Sequence, residues 1–259
     1  MRNSMKYLCL ISLAFLVFAC TGNGNGNDGG DEKLEWGSAT LSVERPIAPE
    51  ENLCYHIELS IDTLAGEGEL AQQLASVLRD SVLYTPGRRT MREAVVAFAD
   101  SLEAEWKSEL AEMYDPMSEY NETLQFYYKV EGKALSEAPV MSYQTTIDCY
   151  LGGAHGSYVI SYFNFDKKTG KLLKINDVVP TDKEKEVLAE MKEQLCKDWD
   201  AKDMVDLQEK TGITMLGDLY LTNNFLIQGD SITFLFNQYE IAPYAAGLIG
   251  ITIPSPANQ

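Results

Sequence analysis

The sequence predicts an α+β fold: antiparallel sheets with three main helices, arranged as two small α+β units packed together. Three observations lead there. Runs with the apolar alternation of strands come in clusters, at 38–45, 52–61, 121–131, 140–150 and 157–166. Apolar spacing of three and four residues is confined to a few longer segments between those clusters. Helices and strands do not alternate regularly, as a parallel βαβ sheet requires. Hydrophobic residues make up 45% of the chain, so the stretch from Trp36 onward is long enough to bury a sizeable core.

In the strand predicted over 52–61, Leu53, Tyr55, Ile57 and Leu59 alternate with Cys54, His56 and Glu58, which points His56 outward beside Glu58. A helix is expected over 69–83, stopped before Thr85-Pro86-Gly87. The clearest helix starts at a capping box, Thr90 with Glu93. It carries Met91, Val95, Phe98, Leu102, Trp106, Leu110 and Met113 on one side before Pro116 ends it. Its acids, among them Glu93, Asp100, Glu103, Glu109 and Glu112, spread over several turns. They do not converge as the oxygen ligands of a cation loop do, and read as a solvated face.

After the strands at 121–131, 140–150 and 157–166, Lys167–Gly170 is a turn and 171–175 a short returning strand. Thr181 with Glu184 reads as a second capping box, opening a helix to about Asp198 with Val187, Leu188, Met191 and Leu195 inward. Residues 218–228 and 231–236 form a hairpin turned at Gly229-Asp230, and LIGITIP (248–254) is a last strand. Boundaries follow at 37–166 for the N-terminal unit and 167–259 for the C-terminal unit.

Ahead of these units, residues 1–19 have a leader's composition. Arg2 and Lys6 are basic, and Tyr7–Ala19 is apolar but shorter than the roughly 20 residues that span a bilayer. Met5 is an alternative start that keeps Lys6. Ala19-Cys20 matches a lipoprotein signal with Cys20 as the lipidated first residue; the alternative is an ordinary secretory signal followed by a chance cysteine. Residues 20–36 open on TGNGNGNDGGD, which has no apolar residue to bury and reads as a flexible tether. The expected location is the cell envelope, on the periplasmic or surface face of the outer membrane ahead of the inner membrane, with membrane contact only through Cys20.

The formal charge is −18, and loss of Arg2 and Lys6 with the leader takes it to −20. Such a charge disfavours nucleic acid and speeds encounter with a basic protein, although solubility alone also explains it. Cys54, Cys149 and Cys196 remain after the leader, with no CxxC spacing, and allow one bridge plus a thiol or three thiols. His56 and His155 are the only histidines and share no HxH, HxxxH or HExxH pattern, so no zinc site, metal or cofactor is expected. No GxSxG elbow is present, and Gly152-Gly153-Ala154-His155-Gly156 is not a GxGxxG phosphate loop. The chemistry leans away from an enzyme.

Gly152, Gly153 and Gly156 instead fit a tight corner needing positive φ or close backbone approach, with both ring nitrogens of His155 satisfying backbone groups there. This corner is also a candidate binding loop; a catalytic His155 is the competing reading. Tyr239 and Tyr244, within YEIAPYAAG, are read either as a binding loop or as a buried crossing segment.

GGAHG, the aromatic strand ending Asn164-Phe165-Asp166, the Thr169-Gly170-Lys171 turn, KLLKINDVV, a helix and Tyr239–Gly247 before a terminal strand together resemble the RsiV-type family. The resemblance spans roughly residues 40–255 and is strongest from Cys149. It implies two small α+β units like the lysozyme-binding extracytoplasmic part of RsiV-type anti-sigma factors. The family it resembles also includes the non-catalytic module of PdaC-type peptidoglycan deacetylases. A lipidated Cys20 would leave no membrane helix or sigma-binding segment, and the deacetylase Asp and paired His are missing. The expectation is therefore a recognition module on a lipid tether, taking a basic lysozyme-like protein; the alternative is a peptidoglycan- or glycan-binding or glycan-hydrolysing lipoprotein.

Replacing Cys20 with Ala should move the protein from the membrane fraction to the soluble fraction on cell fractionation. Unchanged partitioning would overturn the lipid-anchor reading.

Overall fold

The computed structural model describes residues 34–48, 53–113, 126–136, 139–152, 154–214 and 217–255. The leader, Cys20, the Gly/Asn tether and Gly153 lie outside these residues. The elements run β1 (Trp36–Ala48), β2 (Leu53–Leu64), α1 (Glu69–Val77), α2 (Met91–Met113), β3 (Phe126–Ser136), β4 (Val140–Tyr150), β5 (Ser157–Asp166), β6 (Leu172–Leu173), α3 (Ile175–Val178), α4 (Glu184–Asp198), α5 (Met204–Thr211), β7 (Phe225–Gln228), β8 (Ser231–Phe236) and β9 (Ile249–Pro254). Six strands follow the order β1-β2-β3-β4-β5-β6 and three the order β7-β8-β9. The expected α+β class is what the chain adopts.

The chain divides into two discontinuous units. The first takes the described residues up to Glu67, with those of Leu74–Glu131 and Ile147–Ser157; the second takes Gly68–Gln73, Gly132–Thr146 and the described residues from Tyr158 on.

In the first unit, β1 and β2 form an antiparallel ladder from Trp36↔Leu64 to Pro46↔Cys54. Its buried face holds Leu41, Val43, Tyr55, Ile57 and Ile61. On the opposite face His56 lies across from Glu44, with Nδ1 3.9 Å from its carboxylate. The α2 start forms as its sequence demands: the Glu93 amide donates to Thr90 Oγ1 (3.2 Å) and the Thr90 amide to Glu93 Oε2 (3.1 Å). The Thr90 amide first, then the Arg89 amide, which also donates to Glu93 Oε2 (3.1 Å), hold the Glu93 carboxyl below its ordinary pKa. Farther along, Trp106 packs edge-on to Tyr55 with centroids 5.2 Å apart, and Phe98 edge-on to Tyr128 at 5.5 Å. Burial, with the neighbouring Cys149, Tyr84 and Glu105, pushes Tyr128 up to about 12.

The second unit buries Val187, Met191 and Leu195 of α4 against a core that includes Phe225, Ile232, Phe234, Phe236, Ile249 and Ile251. Its sheet pairs Phe225↔Phe234 and Ile232↔Ile253, and Gly229 supplies the positive φ (56°) of the two-residue β7–β8 turn. Between β5 and β6, Gly170 (φ 72°) sits where an added Cβ would come within 2.6 Å of the Leu70 backbone nitrogen.

Asparagine side chains join β5 to the second sheet. β6 covers only Asn164 and Phe165 of β5, so β5 backbone farther along lacks a strand on that side. Asn224 fills part of the gap, its Oδ1 accepting from the Tyr162 amide and its Nδ2 donating to the Ile160 carbonyl, both at 2.9 Å. Asn237 Oδ1 accepts from the Ile160 amide (2.9 Å). Buried Asn164 donates to the Phe225 carbonyl (2.6 Å) and accepts from Ser142 Oγ (2.9 Å) and the Ile227 amide (3.3 Å).

Several local expectations are corrected. The helix expected over 69–83 stays α-helical to Val77 and then widens to a π turn over Leu78–Val82, with the Leu83 amide on the Leu78 carbonyl. The strand expected over 121–131 begins, among described residues, at Phe126 and continues to Ser136. The strand expected over 171–175 is only two residues long, because Asp177 and Asn223 accept the Lys174 and Ile175 amides and turn the chain into α3. Thr181 makes no capping box with Glu184: Thr181–Lys183 is a 3-10 turn after Pro180, and Lys183 precedes α4 without a side-chain cap. The hairpin strand expected from 218 begins at Phe225, since Asn223 and Asn224 turn their side chains to other segments. A fourth substantial helix, α5, was not expected; Asp203 caps it by accepting from the Val205 and Asp206 amides, and Gly212 (φ 73°) ends it.

Asn164→Ala would leave the Phe225 carbonyl and the Ile227 amide without their side-chain partner. It should destabilise the protein by at least about 2 kcal/mol in urea denaturation, against under about 1 kcal/mol for the exposed cap Asn223→Ala.

Candidate functional site

The two sets of candidate residues fall in different units and are described separately. Gly152, His155 and Gly156 lie in the connection between β4 and β5, in the first unit. Gly152 has φ 93°, open to glycine and strained for other residues. Gly156 has a different constraint: a Cβ there would sit 2.9 Å from the Cys149 carbonyl oxygen. His155 is exposed, and its Nδ1 lies 3.0 Å from the Gly156 carbonyl, which only accepts, so Nδ1 is the protonated nitrogen. Beneath the corner, Tyr127 donates to Asp148 Oδ1 (3.1 Å). Burial above all, with the nearby Asp148, raises the pKa of the Cys149 thiol, which keeps it in the unreactive protonated form. Cys149 and Cys196 are both thiols, and Cys196 lies 3.7 Å from the Met204 sulfur.

Tyr239 and Tyr244 are brought together in the second unit. Their ring centroids are 5.7 Å apart, and Tyr239 is 55% exposed. Between them Ile241 and Ala242 are buried. The stretch is thus a loop whose middle is anchored in the core while Tyr239 stands toward solvent and Tyr244 is half-buried. Tyr239 adopts φ 69°, a conformation costing a bulky residue of order 1–3 kcal/mol. Thr214 also has φ 69°, and its amide donates to the Ile241 carbonyl, tying the loop to the end of α5. A 3-10 turn, Tyr244–Ala246, and Gly247 at φ 70°, ψ −148° close the loop.

Three further residues complete this surface and were not singled out from sequence. Tyr220, 46% exposed, packs edge-on to Phe236 at 5.3 Å and reaches Glu240 Oε2 with its hydroxyl (3.4 Å). Asn237 Nδ2 is 3.3 Å from Glu240 Oε1. Partial burial, then the negative charge of Glu240, raises the Tyr220 pKa and keeps its phenol protonated. The polar Thr222-Asn223-Asn224 break in an otherwise strand-like run was the available signal that side chains there serve other segments.

Among the described residues no group of three or more His, Cys, Asp or Glu is placed to hold a metal ion, and no helix is long and apolar enough to cross a membrane. The concave surfaces in the first unit are shallow. One lies over β1–β3, where Lys129 pairs with Glu58 at 3.2 Å, and one along α2 between Arg88 and Ala104.

The sequence profile of a family described as "Protein of unknown function (DUF3298)" matches residues 174–255. The chain shares its fold with DUF3298 proteins. A crystal structure of a DUF3298 family member from Bacteroides fragilis NCTC 9343 superposes with a TM-score of 0.75 at 22% identity, over 85% of this chain and 90% of that one. A DUF3298 family protein from Pseudomonas aeruginosa PAO1 gives a TM-score of 0.61 at 14% identity, over 86% and 92%. No curated protein matches the sequence. The DUF3298 match contains Tyr220, Asn237, Tyr239, Glu240 and Tyr244 and leaves the Gly152–Gly156 corner outside.

Gly156→Ala should cost about 1–3 kcal/mol in thermal denaturation, because the carbonyl it would strike is backbone. His155→Ala, at an exposed position, should cost less than about 1 kcal/mol. A large loss at His155 would contradict its exposed position.

Proposed function

We propose that the protein is an envelope-anchored, non-catalytic recognition module that binds a basic, wall-active protein of the lysozyme type and blocks it sterically. The observation that carries this reading is the Tyr239–Tyr244 loop. A bulky residue in a strained backbone conformation, 55% exposed and packed against a second tyrosine, is poor design for stability and good design for contact. Tyrosine brings large contact area with only two side-chain torsions to freeze, which is why it recurs at binding hot spots. Two features of the sequence agree. The RsiV-type resemblance runs through this loop, and a charge of −20 after removal of the leader complements a cationic partner. Lipidation at Cys20 would hold the module at the envelope, on the periplasmic or surface face of the outer membrane, where such a partner arrives.

Charge steers encounter but does not choose between basic proteins, so specificity falls to the loop. Calorimetry of the purified protein against c-type lysozyme at about 0.15 M salt, where the Debye length is roughly 8 Å, separates the two contributions. Binding should persist there and weaken about tenfold or more in Tyr239→Asn, which removes the ring while tolerating positive φ. Equal affinity for cytochrome c, or no heat with lysozyme, would overturn the lysozyme reading. Retention on purified peptidoglycan in place of lysozyme would favour the glycan alternative.

A further inference from the structure

We propose that Glu240, set between Tyr220 and Asn237, is the anchor for an arginine guanidinium presented by the basic partner. The inference rests on the recognition role proposed above and names the group that is read.

The carboxylate differs from the ion-paired acids of its unit and, unlike Asp166 and Asp203, which accept mainly from backbone amides of their own turns, is held by two side chains. Asp177 is neutralised by Lys171, Asp206 by Lys210 at 2.8 Å and Glu186 by Lys183 at 2.9 Å. Glu240 instead meets two neutral donors, the Tyr220 hydroxyl on Oε2 (3.4 Å) and the Asn237 amide on Oε1 (3.3 Å). These orient the group without offsetting its charge. Each oxygen uses one acceptor site, leaving about one more per oxygen of the roughly four a carboxylate has. Two parallel acceptor sites side by side match the guanidinium fork.

The support is rigid. Asn237 is bound through both side-chain atoms to β5, accepting from the Ile160 amide (2.9 Å) and donating to its carbonyl (3.1 Å). The Glu240 amide donates to the Asn237 carbonyl (3.1 Å), closing a turn, and Ile241 is buried immediately after. Tyr220 is held edge-on against Phe236, which is fully buried. An exposed ion pair between two mobile chains gains little, because both must be immobilised. Here the acid's share of that cost is already met in the free protein. The exposed phenol ring beside the carboxylate favours arginine over lysine, since a guanidinium stacks on aromatic faces and is less strongly hydrated than an ammonium.

Two measurements separate this proposal from the function it deepens. First, N-acetyl-argininamide is titrated into the protein with the Tyr220 ring followed by NMR, beside its citrulline and lysine counterparts. The arginine compound should give a saturable shift, the citrulline compound none and the lysine compound a weaker one. Glu240→Gln, which keeps an acceptor for the local hydrogen bonds, should abolish the shift. Equal responses to arginine and citrulline, or an unchanged response in Glu240→Gln, would overturn the guanidinium site. Second, c-type lysozyme is titrated into Glu240→Gln and into Glu193→Gln, an equal charge change at an exposed position of α4. Affinity should fall about tenfold or more in the first and stay near wild type in the second. Equal binding by wild type and Glu240→Gln would remove the anchor and leave the lysozyme reading intact. No lysozyme binding by wild type, with the argininamide response present, would remove that partner and leave the site standing.

Discussion

Much of the second unit depends on the open edge of β5. A strand edge presents amides and carbonyls that must find partners, and β6 spans only two residues of this one. Asn224 and Asn237 supply missing bonds from more than 60 residues away in sequence, and Asn164, on β5 itself, reaches the other way to the Phe225 carbonyl. A carboxamide suits this task because it offers a donor and an acceptor together, and so can pair with a backbone edge as another strand would. Buried Asn164 has the most at stake, since the backbone groups it meets would otherwise face no water.

The same device links architecture to recognition. Asn237 completes the β5 edge with one carboxamide and steadies Glu240 with it as well. Two residues beyond, Tyr239 is held in a left-handed conformation that the free chain would avoid, with buried Ile241 and the Thr214–Ile241 hydrogen bond keeping the loop in place. The strain is thus imposed by packing beneath the loop and is expressed at its surface. A loop ordered in advance loses less freedom when a partner arrives.

Charge is distributed with similar economy. Along α4, α5 and the β6–α3 connection, acids pair with lysines three to six residues away, contacts that contribute modestly to stability because they are exposed. Glu240 follows a different pattern, with neutral partners and a rigid mount. Net charge governs how often a basic protein arrives; a fixed carboxylate beside exposed tyrosines bears on which one stays.

Local chemistry in the sequence determined most elements. The Thr90–Glu93 capping box, the Val187–Met191–Leu195 stripe and the Gly229-Asp230 turn all act within a few residues, so they read correctly without tertiary information. The β4 and β5 bounds agree with the strands expected at 140–150 and 157–166. The failures are equally physical. The 171–175 segment has strand-like composition, yet an amide acceptor from Asn223, 48 residues on, ends it after two residues. Thr181 and Glu184 have capping-box spacing, but Pro180 leads the chain into a 3-10 turn first. Of the candidate site, Tyr239 and Tyr244 were legible as an aromatic loop, although the exposure of Tyr239 was not. The grouping of Glu240 with Tyr220 and Asn237 was not legible: Tyr220 lies 20 residues from the carboxylate, and no spacing rule encodes that meeting.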